Sequence, residues 1–275
     1  MDTLDFSGSK TINGVEVYYE HYHHPSSTET VVLIHGFLSS LFSFRHLVPL
    51  LKENFSIVSV DLPPFGRSGH SPMFKYSYKN IAYTVVKLLE ELNIPKYHLI
   101  GHSMGGQIAL NILYHYPNYA EKAILLCSSG YSKQAKRPLI LASYFPYFHS
   151  FIKMYLARSG LERNLKNVVY NQTLIDDEMR NGYLSPFLEN NIFKGLTGLL
   201  RHREGDLPAS SLRDIKTPCL LIWGDHDRVV PLQVGKRLAT DLVHSELVVL
   251  KETGHLVPEE RPNEVYQQIN DFIFC

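Results

Sequence analysis

The nine residues His98-Leu99-Ile100-Gly101-His102-Ser103-Met104-Gly105-Gly106 decide how this chain is read. The apolar run that ends at Ile100 reads as a strand. The stretch after Ser103 carries a helical pattern that stops near Pro117. Gly-x-Ser-x-Gly between a strand and a helix is the pattern of a nucleophile elbow, a sharp turn that aims a serine out of the top of a sheet. In such a turn, side chains at the two flanking positions would collide with neighbouring backbone, which glycine at 101 and 105 avoids. The helix beginning beyond Ser103 also turns its free N–H groups and positive dipole end toward the reaction centre.

A serine hydroxyl is a weak nucleophile, so it needs a general base, and the base needs an orienting carboxylate. On a sheet of this kind the chain order is Ser, then Asp or Glu, then His, each at the C-terminal end of a strand. Two carboxylates follow the apolar run Leu220–Trp223, in Gly224-Asp225-His226-Asp227. One histidine follows Leu247–Leu250, in Thr253-Gly254-His255. The order is the required one, with Asp225 and Asp227 both open at this point.

Outward from this motif the chain alternates strands and helices. Asn13-Gly14 before the alternating Val15–Tyr19 predicts an opening hairpin. Short apolar runs without alternation, at Val31–Ile34, Ile57–Val60, His98–Ile100, Ala123–Leu126, Leu220–Trp223 and Leu247–Leu250, are what a parallel sheet covered on both faces requires. Ile81, Val85, Leu88, Leu89 and Leu92 lie on one helical stripe that ends before Pro95, and a last helix is predicted from Glu259 to Phe274 with Val265, Ile269 and Phe272 inward. The pattern predicts a doubly wound α/β fold with a mostly parallel sheet. Residues 131–212 break the alternation. They are helical in pattern and rich in aromatics, Tyr144, Phe145, Tyr147, Phe148, Phe151, Tyr155, Tyr170, Tyr183, Phe187 and Phe193 among them. They are expected to form a helical cap inserted in a core of residues 1–130 and 213–275, with an apolar pocket beneath it.

With these motifs assembled, the chain resembles the α/β-hydrolase superfamily over essentially its whole length, in particular the capped serine esterase and epoxide-hydrolase-like branch. The resemblance rests on the elbow, on His35-Gly36-Phe37, on Asp61-Leu62-Pro63-Pro64-Phe65-Gly66-Arg67-Ser68, and on the loops carrying Asp227 and His255. It implies an eight-stranded sheet with the cap between strands 6 and 7. It assigns the triad acid to the second aspartate, Asp227, leaving Asp225 a loop-capping role. The alternative slot after the preceding strand reads Cys127-Ser128-Ser129-Gly130 and holds no carboxylate. The oxyanion of the attacked carbonyl needs two preorganised donors. One is the backbone N–H of Met104, after the nucleophile, and the resemblance gives the other to the backbone N–H of Phe37. His102, Leu38, Val229 and Leu256 flank these positions and are the candidate substrate contacts.

Composition narrows the field from the other side. The chain has 275 residues, 44% of them hydrophobic, and its 27 Lys+Arg balance 27 Asp+Glu. A nucleic-acid binder needs a cationic surplus, although a local basic patch is compatible with zero net charge. Cys127, Cys219 and Cys275 are too scattered for a disulfide framework or a zinc site. No spaced cluster of carboxylates or histidines accompanies His35 and His102, and the resemblance implies packing roles for both, so no metal and no cofactor are expected. His226 reads as solvent-facing, Asp61 as the anchor of the Gly66-Arg67-Ser68 loop, and Trp223 as core. The run Arg201–Asp206 reads as a solvated face or hinge with local ion pairs, with contact to a substrate carboxylate open to Arg201 or Arg203. The N-terminal residues lack the n-region and h-region of a signal peptide, and no apolar run approaches the roughly 18–20 residues of a membrane span. A cytoplasmic location is the expectation.

The function these features predict is a serine hydrolase that cleaves carboxylic esters with apolar, short-to-medium groups through an acyl-enzyme. The partner is a small-molecule ester, with neither nucleic acid nor a membrane span. A carbon–carbon bond hydrolase or a perhydrolase with the same triad, or a small-molecule receptor on the hydrolase fold, are the alternatives. Serine at the nucleophile position argues against dehalogenase and epoxide hydrolase chemistry. His35-Gly36-Phe37-Leu38-Ser39 departs from the glycine-rich oxyanion segment usual in carbon–carbon hydrolases.

Overall fold

The computed structural model describes residues 6–184 and 190–275. Phe187 and residues 1–5, on which the signal-peptide reading rests, lie outside the described residues. Eight strands form one sheet: β1 (Phe6–Ile12), β2 (Val15–Tyr22), β3 (Thr30–Ile34), β4 (Ser56–Val60), β5 (Tyr97–His102), β6 (Ala120–Leu126), β7 (Cys219–Gly224) and β8 (Ser245–Leu250). Their spatial order is β1-β2-β4-β3-β5-β6-β7-β8. The β1–β2 and β2–β4 pairings are antiparallel and every other pairing is parallel. The hairpin closes at the Ile12–Val15 pair, with Asn13 and Gly14 both at positive φ, the conformation a two-residue turn demands and Asn-Gly tolerates.

β4, β5 and β7 are buried along their whole length, which accounts for their unbroken apolar runs. β8 lies at the sheet edge and is half-buried, so its continuous apolar pattern overstates its covering. Helices α1 (Val48–Leu51), α2 (Tyr78–Glu91) and α3 (Met104–His115) follow β3, β4 and β5. α2 begins at Ser77, whose hydroxyl accepts from the Asn80 N–H, and buries the stripe Ile81, Val85, Leu88 and Leu89. α3 is apolar almost all round and sinks ten consecutive residues, Met104 to Leu113, beneath the sheet's surface.

Among the described residues, the segment between β6 and β7 carries the helices α4 (Arg137–Ala142), α5 (Phe148–Ser159), α6 (Leu161–Val168), α7 (Asp177–Leu184) and α8 (Asn190–His202), followed by a shorter one that leads into β7. α8 buries Ile192, Phe193, Leu196 and Leu199 in the main core. Leu165, Val169, Ile175, Met179 and Tyr183 instead form a second apolar cluster together with Leu256. The charged run after α8 is no solvated hinge. Glu204 accepts from the Tyr78 and Lys79 N–H groups and so caps α2, and Asp206 accepts from the Ser129 hydroxyl and the Ser132 N–H.

α9 (Ala209–Asp214), α10 (Leu232–Asp241), α11 (Val257–Glu260) and α12 (Pro262–Phe274) complete the chain. The last helix predicted from Glu259 is two helices. The backbone breaks at Arg261, where Pro262 starts a new helix at its first position and Val265, Ile269 and Ile273 turn inward. Among the described residues, no helix is long and apolar enough to cross a membrane.

Candidate active site

Ser103 sits between β5 and α3 at φ 54°, ψ −116°, a conformation that costs a non-glycine residue free energy and that only its surroundings can impose. Those surroundings are visible. The Ser103 N–H donates to Leu126 O at 2.9 Å, and Ser103 O accepts from the Gly106 and Ser129 N–H groups at 3.0 and 2.9 Å. A side chain at Gly101 would meet the Gly105 carbonyl, and one at Gly105 would meet the carbonyls of Ile34 and His35. The elbow is therefore wedged against β3 as well as β5. A Cβ on Gly36 would stand 3.1 Å from the Ser103 Cβ, so the loop after β3 runs directly past the serine.

At the end of β7, Asp227 is buried and oriented by its own loop. Its Oδ1 accepts from the Val229 and Val230 N–H groups, both at 2.8 Å, which leaves Oδ2 to accept from His255 Nδ1 at 2.7 Å. A carboxylate only accepts, so the His255 proton is on Nδ1 and the lone pair is on Nε2. Asp225 points elsewhere. It faces His226 Nδ1 at 2.7 Å and Lys251, and despite some desolvation the His226 and Thr253 hydrogen bonds hold its carboxyl below the usual range. The His255 ring lies 4.8 Å from that of His102, the neighbour of Ser103.

The other histidines of the site are neutral props. Burial lowers His35 to about 4; its Nδ1–H donates to Gly36 O, and its Nε2 accepts from the Leu62 N–H. Burial, then the nearby His255, lowers His102 to about 3, and its Nε2–H donates to the backbone carbonyl of His255 at 2.9 Å. His102 thus holds the histidine loop and is not turned to a substrate. Asp61 accepts from the Leu41 and Arg67 N–H groups, each at 2.8 Å, and burial raises it to about 6.

A cavity of about 730 Å³ opens over Ser103. Phe37, Met104 and Val229 line its floor, Phe148, Phe151 and Leu156 its outer wall, and Tyr78 and Arg203 form a polar edge. Among the described residues, neither the Phe37 nor the Met104 N–H has a hydrogen-bond acceptor. Of the four candidate substrate contacts, Val229 alone is in the lining. Leu38 packs against the main core, and Leu256 sits in the second apolar cluster.

Two features of the site were not signalled by the sequence. The Cys127 thiol, Asp227 carboxylate and His255 imidazole lie within 4.8 Å of one another. These three could hold a metal, but the carboxylate and the imidazole are already hydrogen-bonded to each other, and burial, followed by the Asp227 charge, pushes the thiol far above its usual range. Glu260 also has a structural task. Its carboxylate accepts from the Gly254, Tyr170 and Asn171 N–H groups, tying the histidine loop to the segment after α6. Neither acid in Pro258-Glu259-Glu260 has a spacing that would reveal such a role.

Comparison with known proteins places this geometry in a family. The model of the alpha/beta hydrolase fold family matches residues 29–262. The protein named uncharacterized hydrolase YugF from Bacillus subtilis (strain 168) is 50% identical over 263 residues, covering 96% of each chain. A 2-hydroxy-6-oxononadienedioate/2-hydroxy-6-oxononatrienedioate hydrolase from Comamonas testosteroni is 28% identical, over 96% of this chain and 94% of that one. Among solved structures, the meta-cleavage product hydrolase CumD from Pseudomonas fluorescens IP01 superposes with a TM-score of 0.81 at 20% identity, over 98% of both chains. The chain belongs to the α/β-hydrolase fold family and is a hydrolase.

Proposed function

We propose that this hydrolase cleaves carboxylic esters with apolar, short-to-medium acyl or alcohol groups through a Ser103 acyl-enzyme, and that residues 131–212 act as the cap over that site. The observation that carries the reading is the 2.7 Å His255–Asp227 pair, its imidazole 4.8 Å from the ring of His102, the neighbour of a serine held at positive φ that lines an apolar cavity. In the proposed reaction His255 Nε2 takes the Ser103 hydroxyl proton as Oγ attacks the ester carbonyl. Asp227 keeps the imidazole in that tautomer and stabilises its positive charge. The unengaged N–H groups of Phe37 and Met104 receive the oxyanion. The proton on His255 passes to the leaving alcohol, and the same nitrogen then activates water to release the acid. Three thiols that form no disulfide suit the reducing cytoplasm.

The test is turnover of p-nitrophenyl acetate, butyrate, octanoate and laurate by wild type and Ser103→Ala. The expected outcome is a preference within the series and loss of about 10⁶-fold in kcat on removing the hydroxyl. Absence of both burst and turnover on every ester defeats the reading. A carbon–carbon bond hydrolase is the second reading, favoured by the 26–29% identical relatives named as hydrolases of 2-hydroxy-6-oxo dienoates and by Arg203 and Tyr78 at the cavity's edge. Faster turnover of a 2-hydroxy-6-oxo dienoate than of any ester decides for it.

A further inference from the structure

Sixteen large hydrophobic side chains are exposed among the described residues, and eight of them fall between Leu139 and Tyr155, on α4, α5 and the turn joining them. Tyr147 is 78% exposed, Phe145 72% and Leu141 68%. Scattered apolar residues on a surface need no explanation, but a contiguous group on one pair of helices does. α5 shows why it is no ordinary amphipathic helix. Ile152 and Leu156 pack against the main core, Phe151 and Tyr155 beside them stand half-open along the cavity, and the side turned away carries the exposed Lys153, Met154 and Arg158. Apolar and cationic side chains thus share the outward side of α5.

Charge identifies what covers it. Between residues 133 and 166, Lys and Arg outnumber Asp and Glu seven to one, whereas the rest of the chain carries 20 against 26. Lys136 and Arg137, exposed at the start of α4, have no carboxylate partner among the described residues. Rings and aliphatic chains beside unpaired cations are the chemistry of the headgroup boundary, where the rings enter the acyl edge and the cations meet lipid phosphates. A second copy of the chain fits poorly, because a two-fold contact would set the same cationic segment against itself.

We propose that the outer face of α4 and α5 docks on an anionic lipid bilayer. The face adjoins the cavity, since Leu139, Phe151 and Tyr155 also line it, so an apolar ester dissolved in the bilayer reaches Ser103 without crossing water. That last step rests on the proposed ester chemistry; the docking does not.

The experiment is co-sedimentation with vesicles of phosphatidylcholine alone and of equal parts phosphatidylcholine and phosphatidylglycerol. It uses wild type, Ser103→Ala, a Leu141→Ser/Phe145→Ser/Tyr147→Ser variant and a Lys136→Glu/Arg137→Glu variant. Wild type and Ser103→Ala are expected to bind the anionic vesicles at least tenfold more tightly than the neutral ones, and to release them as salt rises. Both surface variants are expected to lose at least tenfold in binding while keeping wild-type turnover of soluble p-nitrophenyl acetate. Equal, weak binding of wild type to both vesicles overturns the proposal, as does undiminished binding by the surface variants. A wild-type dimer that the Leu141/Phe145/Tyr147 variant converts to monomer also overturns it, by making the face a contact between copies. Because Ser103→Ala reports docking without chemistry, failure of the ester reading leaves this result separate.

Discussion

At the scale of single residues, the two aspartates after β7 give the sharpest contrast. They are two positions apart on one tight loop, yet Asp227 is buried, receives two backbone N–H groups on one oxygen and presents the other to His255. Asp225 is bound to exposed groups on the surface side. Asp227→Asn keeps the volume but puts an amide where only an acceptor serves, which favours the wrong imidazole tautomer. A loss on the order of 10⁴-fold in kcat is expected, with KM little changed. Asp225→Asn is expected to stay within a few-fold of wild type. Steady-state kinetics on one p-nitrophenyl ester checks both, and the reverse ranking would mean that Asp225 is the working acid. Order along the chain and the resemblance were enough to single out Ser103, Asp227 and His255 as the candidates for the proposed triad. What stayed illegible was direction. His102 stands beside the nucleophile, but its ring turns down to the His255 carbonyl, and Leu256 beside His255 turns into a separate apolar cluster. Sequence adjacency to a catalytic position does not fix which way a side chain faces, because alternate residues of a strand end face opposite sides.

At the scale of elements, α11 joins the histidine loop to the inserted helices through a buried acid. Glu259 accepts from the Arg45 guanidinium and, at 3.1 Å, from the hydroxyl of Tyr183 on α7; His46 Nε2 is 3.6 Å away and Glu178 faces Arg45. Burial raises the Glu259 carboxyl to about 7, although Arg45 and Tyr183 pull it down. A carboxyl raised above its usual 4.5 binds more protons folded than unfolded in the interval up to about 7. Its stabilising contribution is therefore full at low pH and is lost as pH rises through about 7. Glu259→Gln removes this proton uptake. The Tm of wild type minus that of the variant is expected to fall as pH rises from about 4.5 to about 7, and a difference that grows with pH would refute the assignment. Elements carried by a regular pattern, such as the α2 stripe or the Asn13-Gly14 hairpin, were legible. Glu204 on the N-terminus of α2 and Glu260 on Tyr170 and Asn171 were not, because each reaches a partner far away in the chain and contributes no local period.

For the whole molecule, zero net charge is a sum of opposites: a cationic stretch over α4 to α6 and an anionic remainder. Composition could exclude a uniformly basic protein, but it could not register a segregation that appears only when charge is mapped onto the fold. The same division runs through packing. The central strands and α3 bury nearly every residue, while α4 has no buried side chain and α5 meets the core only through half-buried ones such as Ile152 and Leu156. Opening free energy follows buried apolar contact, so the two parts should open on different scales, the sheet near the global unfolding free energy and α4–α5 well below it. Hydrogen-exchange mass spectrometry measures this directly. Peptides from α4 and α5 are expected to exchange orders of magnitude faster than peptides from β5, β6 and α3. Anionic vesicles should slow the first set and leave the second unchanged, because docking replaces water on the outer face without touching the sheet. Equal protection in both sets without lipid would show that the inserted helices and the core open as one unit, and that the apolar outer face is held rigid by contacts of their own.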